Sequence, residues 1–431
     1  MLRKIKIASL SLFALSIPFH AYADTGYYKN FITKTVKNLV TDYSVNNYDN
    51  KDDTQKLQSA INELSKNGGG EIIIPAGVYY FMNVELKSNI KLLIDKDASI
   101  RPYLQAMYDN GGDSIFNVGE YNADVVKNIA ITSLQKDQRF TVQLPAITKV
   151  SGANPNKPFN NVYGIKVFHF FNVKNFLTSN MNIYDSNTKY SAMSLNAVLS
   201  DKNIKNRGKF PTYGDVKNIT IYNAAYGYGA VQAQAASKIY FENIESQGGA
   251  ALRLETGYAP MNDMRLGGVS DIKADNIRCL NGSAALTLSP HTIQTNANID
   301  AHNIIADDCN FAVRIATGFI SKKNKTVGLT PGIFKNVNID GIDATFGFRS
   351  QILHKDFSLL SKDLQRYIYR TDTHLEALVG PSISAVGYVG GPGEKINYEA
   401  SLKNIKMHGF KPGTKEITFP SDKGKVYTTE E

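Results

Sequence analysis

The chain has 431 residues, 42% of them hydrophobic and 20% charged, with no tryptophan and a formal charge of +9. That balance is ordinary for a folded globular protein and excludes a disordered, collagen-like or coiled-coil chain. Two cysteines, Cys279 and Cys309, with no CxxC pair, argue against a disulfide scaffold and against a zinc or iron–sulfur centre.

Residues 1–23 carry Arg3, Lys4 and Lys6, an apolar stretch from Ile7 to Ile17, and Ala21-Tyr22-Ala23 before Asp24, the layout of a cleaved export signal. The stretch is shorter than the ~20 residues a membrane span needs. A secreted protein, extracellular or periplasmic, with no membrane attachment is expected. Removing the leader takes three basic and no acidic residues and leaves a basic excess of six. Outside the cell such a charge disfavours nucleic acid and favours an anionic polysaccharide, although solubility alone would account for it equally well.

Past the leader, Asp52-Asp53-Thr54 precede Leu57, Ile61 and Leu64, which predicts a short amphipathic helix behind an N-cap. Gly68-Gly69-Gly70 ends it, and residues 71–80 predict a strand, a turn and a second strand. The phrase apolar-x-Asn-apolar then recurs around Asn128, Asn175, Asn218, Asn243, Asn276, Asn303, Asn336 and Asn404, spaced 47, 43, 25, 33, 27, 33 and 68 residues apart. Those gaps fit one or two turns of a solenoid. Short β runs such as Ile219-Thr220-Ile221-Tyr222 fill each unit, and asparagines at equivalent turns can stack from coil to coil. The expected architecture is all-β, a single right-handed parallel β-helix over residues 24–431 capped by the N-terminal helix. Leu353, Phe357, Leu359, Leu360, Leu364, Ile368 and Tyr369 predict a helical insertion at 350–378.

A β-helix offers a groove in which side chains of successive coils stack about 4.8 Å apart. Residues 226–292 carry the densest set of chemically useful groups. Aligning strands on their apolar residues puts Gln232, Glu255 and Ser289 in one column, Gln234, Gly257 and His291 in the next, and Arg253 with Thr287 and Arg314. A Glu near an Arg is more often a surface ion pair than an acid catalyst, and a lone His more often structural.

The stretches Tyr226-Gly227-Tyr228-Gly229…Gln232, Gly248-Gly249-x-Ala251-Leu252-Arg253-x-Glu255-Thr256, Ala274-Asp275-Asn276-Ile277-Arg278-Cys279, Pro290-His291 and Gly380-Pro381-Ser382 together resemble the iota-carrageenase family, glycoside hydrolase family 82. The resemblance is nearly continuous over 215–292 and thinner over 40–388. It implies a β-helix that hydrolyses β-1,4 linkages of a sulfated galactan with inversion, Glu255 being the general acid and Gln232 and His291 belonging to the same site. Glu255 can protonate a leaving oxygen if burial or a neighbouring anion raises its pKa. The family's general-base Asp, two residues after that Glu, falls on Gly257, so His291 and then Asp263 become candidates for the base. Arg253 and Arg314, with Arg265 and Arg278 behind them, are expected to bind sulfate. Tyr226 and Tyr228 could stack on galactose faces, and Gln234 could orient a water. The family's inserted domain after Ala312-Val313-Arg314 shrinks to residues 320–334, which predicts an open groove. No cofactor is required; a structural Ca2+ or a bound halide ion is compatible with the groove. The partner expected is an anionic polysaccharide, bound by a monomer.

Competing expectations are a polygalacturonase, for which Asp307-Asp308 is present but Gly-His-Gly is missing, a pectate lyase, and a β-helix that binds sulfated glycan without turnover. Cys279 and Cys309 fall near the same turn of neighbouring coils, leaving both a disulfide and free thiols open.

Overall fold

The computed structural model describes residues 26–106, 113–145, 164–292, 295–370, 378–389 and 400–422. The leader expectation lies outside them. Among the described residues, 22 strands join one system of parallel ladders and two more form a small antiparallel pair. The chain is a right-handed parallel β-helix.

Each full coil has three strand faces separated by turns. In Thr212–Ala233 they run over 214–217, 219–222 and 229–233, and Ala235–Thr256 stacks on them in register. One inward column shows how the core is built. Ile219, Ile244, Ile277, Ile304, Ile342 and Ile405 follow one another through six coils. Strand alternation sends every second residue inward, so a β-branched side chain at a fixed register position meets its own kind above and below. Near the N-terminal end the filling is aromatic, with Phe116 and Phe168 rings stacked at 5.3 Å.

The asparagines stack as expected, but in two turn columns rather than one. Asn89, Asn128 and Asn175 form one ladder, each amide donating to the previous carbonyl at 2.8 Å, and Asn336 donates to Asn298 in the same column. Asn180, Asn218, Asn243 and Asn276 form the other, five residues along the coil, with bonds of 2.7–2.8 Å. The recurring phrase merged two sets, because both turns demand the same backbone: these asparagines sit at φ of +51 to +63°. Asn tolerates that left-handed conformation better than other side-chain-bearing residues.

The predicted N-terminal helix is Thr54–Lys66, burying Leu57, Ala60, Ile61 and Leu64 over the first coil. The strand–turn–strand reading is Gly70–Ile74 and Gly77–Phe81. The insertion departs from expectation. Ser350–Ile352 pairs antiparallel with Leu378–Gly380, and the helical elements between them among the described residues are a 3-10 turn, His354–Leu359, and a single helical turn, Lys362–Gln365. Leu360 and Ser361 are extended, which cuts the helical periodicity in two. Leu359 and Leu360 instead bury against Phe311, Ile352 and Ile383. Residues 371–377 lie outside the described set. Cys279 and Cys309 form a disulfide across neighbouring coils, with Cα atoms 6.3 Å apart.

Candidate active site

The third strand face carries the groove. Its outward column runs Asn117, His169, Ser194, Gln232, Arg253, Thr287 and Arg314, each residue level with the next. Two of the expected alignments hold: Arg253 with Thr287 and Arg314, and Glu255 with Ser289. Gln232 is corrected by one column, since it pairs with Arg253 rather than Glu255. The segment Val231-Gln232-Ala233-Gln234 offers two glutamines at equivalent parity, and matching Val231 to Leu252 fixes which one is level with the arginine. Gln234 follows where the strand has ended, its backbone bonded to Leu195 and Gly268.

Glu255 is the centre of the cluster. Arg253 Nη2 donates to its Oε2, and His291 Nε2 lies 3.2 Å from its Oε1. The Glu255 side chain keeps 23% of its surface exposed and His291 13%, so both are reachable from the groove yet largely desolvated. Burial by itself would raise the Glu255 carboxyl. The Arg253 charge and the His291 hydrogen bond outweigh it and hold the group at about 2. The expectation of an acid raised by burial is therefore reversed in the free groove: Glu255 is a carboxylate.

Arg253 also donates to Ser191 Oγ at 3.3 Å and sits over the Tyr228 ring at 5.5 Å. Tyr228 meets Tyr190 edge-on at 6.4 Å. Burial raises the Tyr226 hydroxyl to about 12, with Arg314, Asp356, Arg253 and Glu255 as its charged neighbours. Tyr226, Tyr228, Arg253 and Arg314 are thus brought together, as expected, and Asp356 joins them from the insertion.

The structure gives each of the three positions that bear on the base, Gly257, His291 and Asp263, a definite place. Gly257 has φ +81° and lies past the strand end at Thr256, so position 257 does not continue the Glu255 face. His291 shares a hydrogen bond with Glu255 at 3.2 Å, which sets it beside the acid rather than at the ~6.5–9.5 Å separation an inverting base takes. Asp263 is engaged elsewhere: its carboxylate accepts from the Lys325 and Thr326 backbone amides at 2.9 and 3.0 Å and from Asn324 Nδ2 at 3.2 Å. Arg265 belongs to the same clasp, donating to Val327 O at 3.3 Å, rather than to the arginine column. The segment after Arg314 closes on the site from this side. Phe319 packs on the His291 ring at 4.6 Å, and its backbone amide donates to the His291 carbonyl at 2.8 Å.

A second polar cluster, unseen in the sequence, lies three strand spacings from Arg253, about 14 Å along the groove. His169 Nδ1 faces Asp113 Oδ1 at 3.6 Å while Asn196 Nδ2 donates to its Nε2 at 2.8 Å. Lys166 ion-pairs with Asp113 and covers the Tyr190 ring at 3.8 Å. Burial would raise Asp113, but His169 and Lys166 hold it well below the usual carboxylate range. Burial and the Lys166 charge push His169 down to about 4, so its ring is neutral. Asp113 is 56 residues from His169, and no local spacing announces their meeting.

Fold and site define a right-handed parallel β-helix protein carrying a carboxylate–imidazole–guanidinium cluster on one strand face. An iota-carrageenase from Alteromonas macleodii is 27% identical over 90% of this chain and 87% of its own length. An iota-carrageenase from Zobellia galactanivorans is 34% identical over 71% of this chain and 57% of its own. A solved iota-carrageenase complexed to iota-carrageenan fragments superposes with a TM-score of 0.79 and 25% identity, covering 91% of this chain and 93% of that one. No family model matches. The chain belongs to the iota-carrageenase family, glycoside hydrolase family 82.

Proposed function

We propose that the protein is a secreted glycoside hydrolase that cleaves β-1,4 linkages of a sulfated galactan, iota-carrageenan first among them, with Glu255 as the proton donor to the glycosidic oxygen. The observation that carries this reading is the Arg253–Glu255–His291 cluster, set in a column of polar side chains that runs from coil to coil along one strand face.

A carboxylate held at about 2 cannot donate a proton until its surroundings change. A sulfate ester docking on Arg253 competes for the guanidinium, weakens its hold on Glu255 and lets the carboxyl rise toward the range an acid needs. The carboxyl then takes its proton from solvent, while His291 holds its other oxygen in place at 3.2 Å. The sulfated substrate thereby arms its own acid, and a neutral galactan does not.

Inversion requires a water on the far face of the sugar, and a dedicated base would sit ~6.5–9.5 Å from the acid. Gln232 and Gln234 can orient that water, and the proton it loses on attacking the anomeric carbon passes to bulk solvent. The expected pH profile of turnover is therefore one-sided: activity falls as pH rises and the substrate-bound Glu255 carboxyl loses its proton, without a second limb from a carboxylate base. A bell-shaped profile contradicts this.

The test of substrate class is reducing-end release from iota-, kappa- and lambda-carrageenan, agarose, porphyran and polygalacturonate. Release from iota-carrageenan and none from agarose or polygalacturonate is expected. The missing side chain at Gly257 favours a second reading, a groove that binds sulfated glycan without turnover. Silence on the whole panel, with retention on an iota-carrageenan column, would establish it.

A further inference from the structure

The second strand face carries a cleft remote in the coil from the groove. It encloses about 350 Å3 above the asparagine ladder of Asn218, Asn243 and Asn276, with Arg139, Thr220, Glu245 and Arg278 around it. That volume suits a small ligand or one segment of a chain. Arg139 Nη1 reaches Asn182 Oδ1 at 3.3 Å and Thr220 Oγ1 at 2.5 Å, which holds its guanidinium over the Thr220 strand. Thr220, Glu245 and Arg278 then follow in register on three successive coils. The two guanidiniums accordingly flank Glu245 across two strand spacings, about 10 Å. Arg278 is exposed, and among the described residues no hydrogen bond or ion pair engages its guanidinium.

Aromatic surface adjoins these charges. Tyr184 and Tyr222, paired in register, stack at 4.9 Å with planes 13° apart, and Tyr184 is 44% exposed. Tyr222 is two residues along the same strand from Thr220, which lines the cleft, so its side chain leaves the same face of the strand next to it.

We propose that the cleft is a second, non-catalytic binding site for a sulfated galactan chain. Sulfate esters take Arg139 and Arg278, where planar guanidiniums match tetrahedral oxyanions. Sugar hydroxyls donate to Glu245, whose negative charge keeps sulfate on the flanks. A pyranose face lies on the Tyr184–Tyr222 pair, an apolar platform with polar edges. The ligand class rests on the proposed function; the site itself rests on this geometry. The turn at 223–228 separates the cleft from the groove, so one segment of polymer cannot occupy both. Binding here tethers the protein to the polymer and raises the local concentration of chain at the groove.

The test is electrophoretic retardation in gels containing iota-carrageenan or agarose. Glu255→Gln is compared with Glu255→Gln/Arg139→Ala/Arg278→Ala, so that the polymer is not cut during the run. Retention by iota-carrageenan should weaken about fivefold or more in the triple variant, with none by agarose in either. Arg139→Ala/Arg278→Ala alone should cleave a soluble iota-carrageenan hexasaccharide at the wild-type rate, which also shows that the fold is kept. Unchanged retention overturns the proposal. So does hexasaccharide cleavage falling in parallel with retention, or equal retention by agarose. Arginine-dependent retention in a protein that cuts no galactan upholds the site and overturns the hydrolase reading instead.

Discussion

At the level of single residues, the state of Glu255 is set by neighbours on different coils. Arg253 is two positions back on the same strand, and His291 arrives from the next coil through the Thr256–Pro290 pairing. The Arg253–Glu255 neighbourhood could be read from sequence, because i and i+2 share a strand face. The direction of the carboxyl's shift could not, because it depends on which of burial and charge wins. The missing base was legible only as an empty side chain at Gly257; the backbone turn that removes the position from the face was not. A linkage prediction follows. The Glu255 carboxyl is lower in the folded chain than unfolded, so its stabilisation is full above about 4.5 and is lost as pH falls toward about 2. In urea titrations, the stability advantage of wild type over Glu255→Gln should shrink steadily across that window. An advantage constant from about pH 6 to about pH 2.5 would contradict the ion pairing.

Among the elements, the turns decide where strands begin. The asparagine repeat announced a solenoid because each left-handed turn selects Asn, and it blurred the count because two turns per coil make the same demand. Asn243→Ala removes two ladder bonds, to Asn218 and from Asn276, together with the left-handed tolerance, and should cost roughly 1–2 kcal/mol or more. Asn243→Gly keeps the backbone freedom and should cost less; chemical denaturation of the two variants separates the contributions, and equal losses would assign everything to the hydrogen bond. The Cys279–Cys309 bond closes a loop with a sequence separation of 30, and its removal by the double serine variant should cost about 2–4 kcal/mol. An unchanged melting transition would refute that. Apolar spacing alone misread the insertion: Leu359, Leu360, Leu364 and Ile368 do pack inward, but as consecutive short turns on Phe311 and Ile352 rather than as one amphipathic helix.

Across the whole molecule, the parallel stack turns a sequence repeat into a linear array of binding positions. His169, Gln232, Arg253 and Arg314 are scattered in the chain and become one line because every coil repeats the same register. The fold was therefore largely readable from the repeat, whereas the Asp113–Lys166–His169 cluster needed the coils to be counted in space. The short segment over 317–332 clasps the helical residues Ala259–Asp263 through Asp263 and flanks His291, and among the described residues no large domain roofs the groove there. An open groove favours release after each cut, so early digests of iota-carrageenan should contain a broad range of fragment lengths on size-exclusion chromatography. Tetrasaccharide-sized product alone from the first minutes would point to processive sliding instead. Everything proposed for the groove turns on Glu255, gripped by Arg253 and His291, being the acid of a sulfated-galactan hydrolase. The most direct test is the initial rate of reducing-end release from iota-carrageenan by wild type and by Glu255→Gln of matched circular dichroism. A loss of about 10²–10⁴-fold in the variant is predicted; equal rates, or release from neither, would contradict that role.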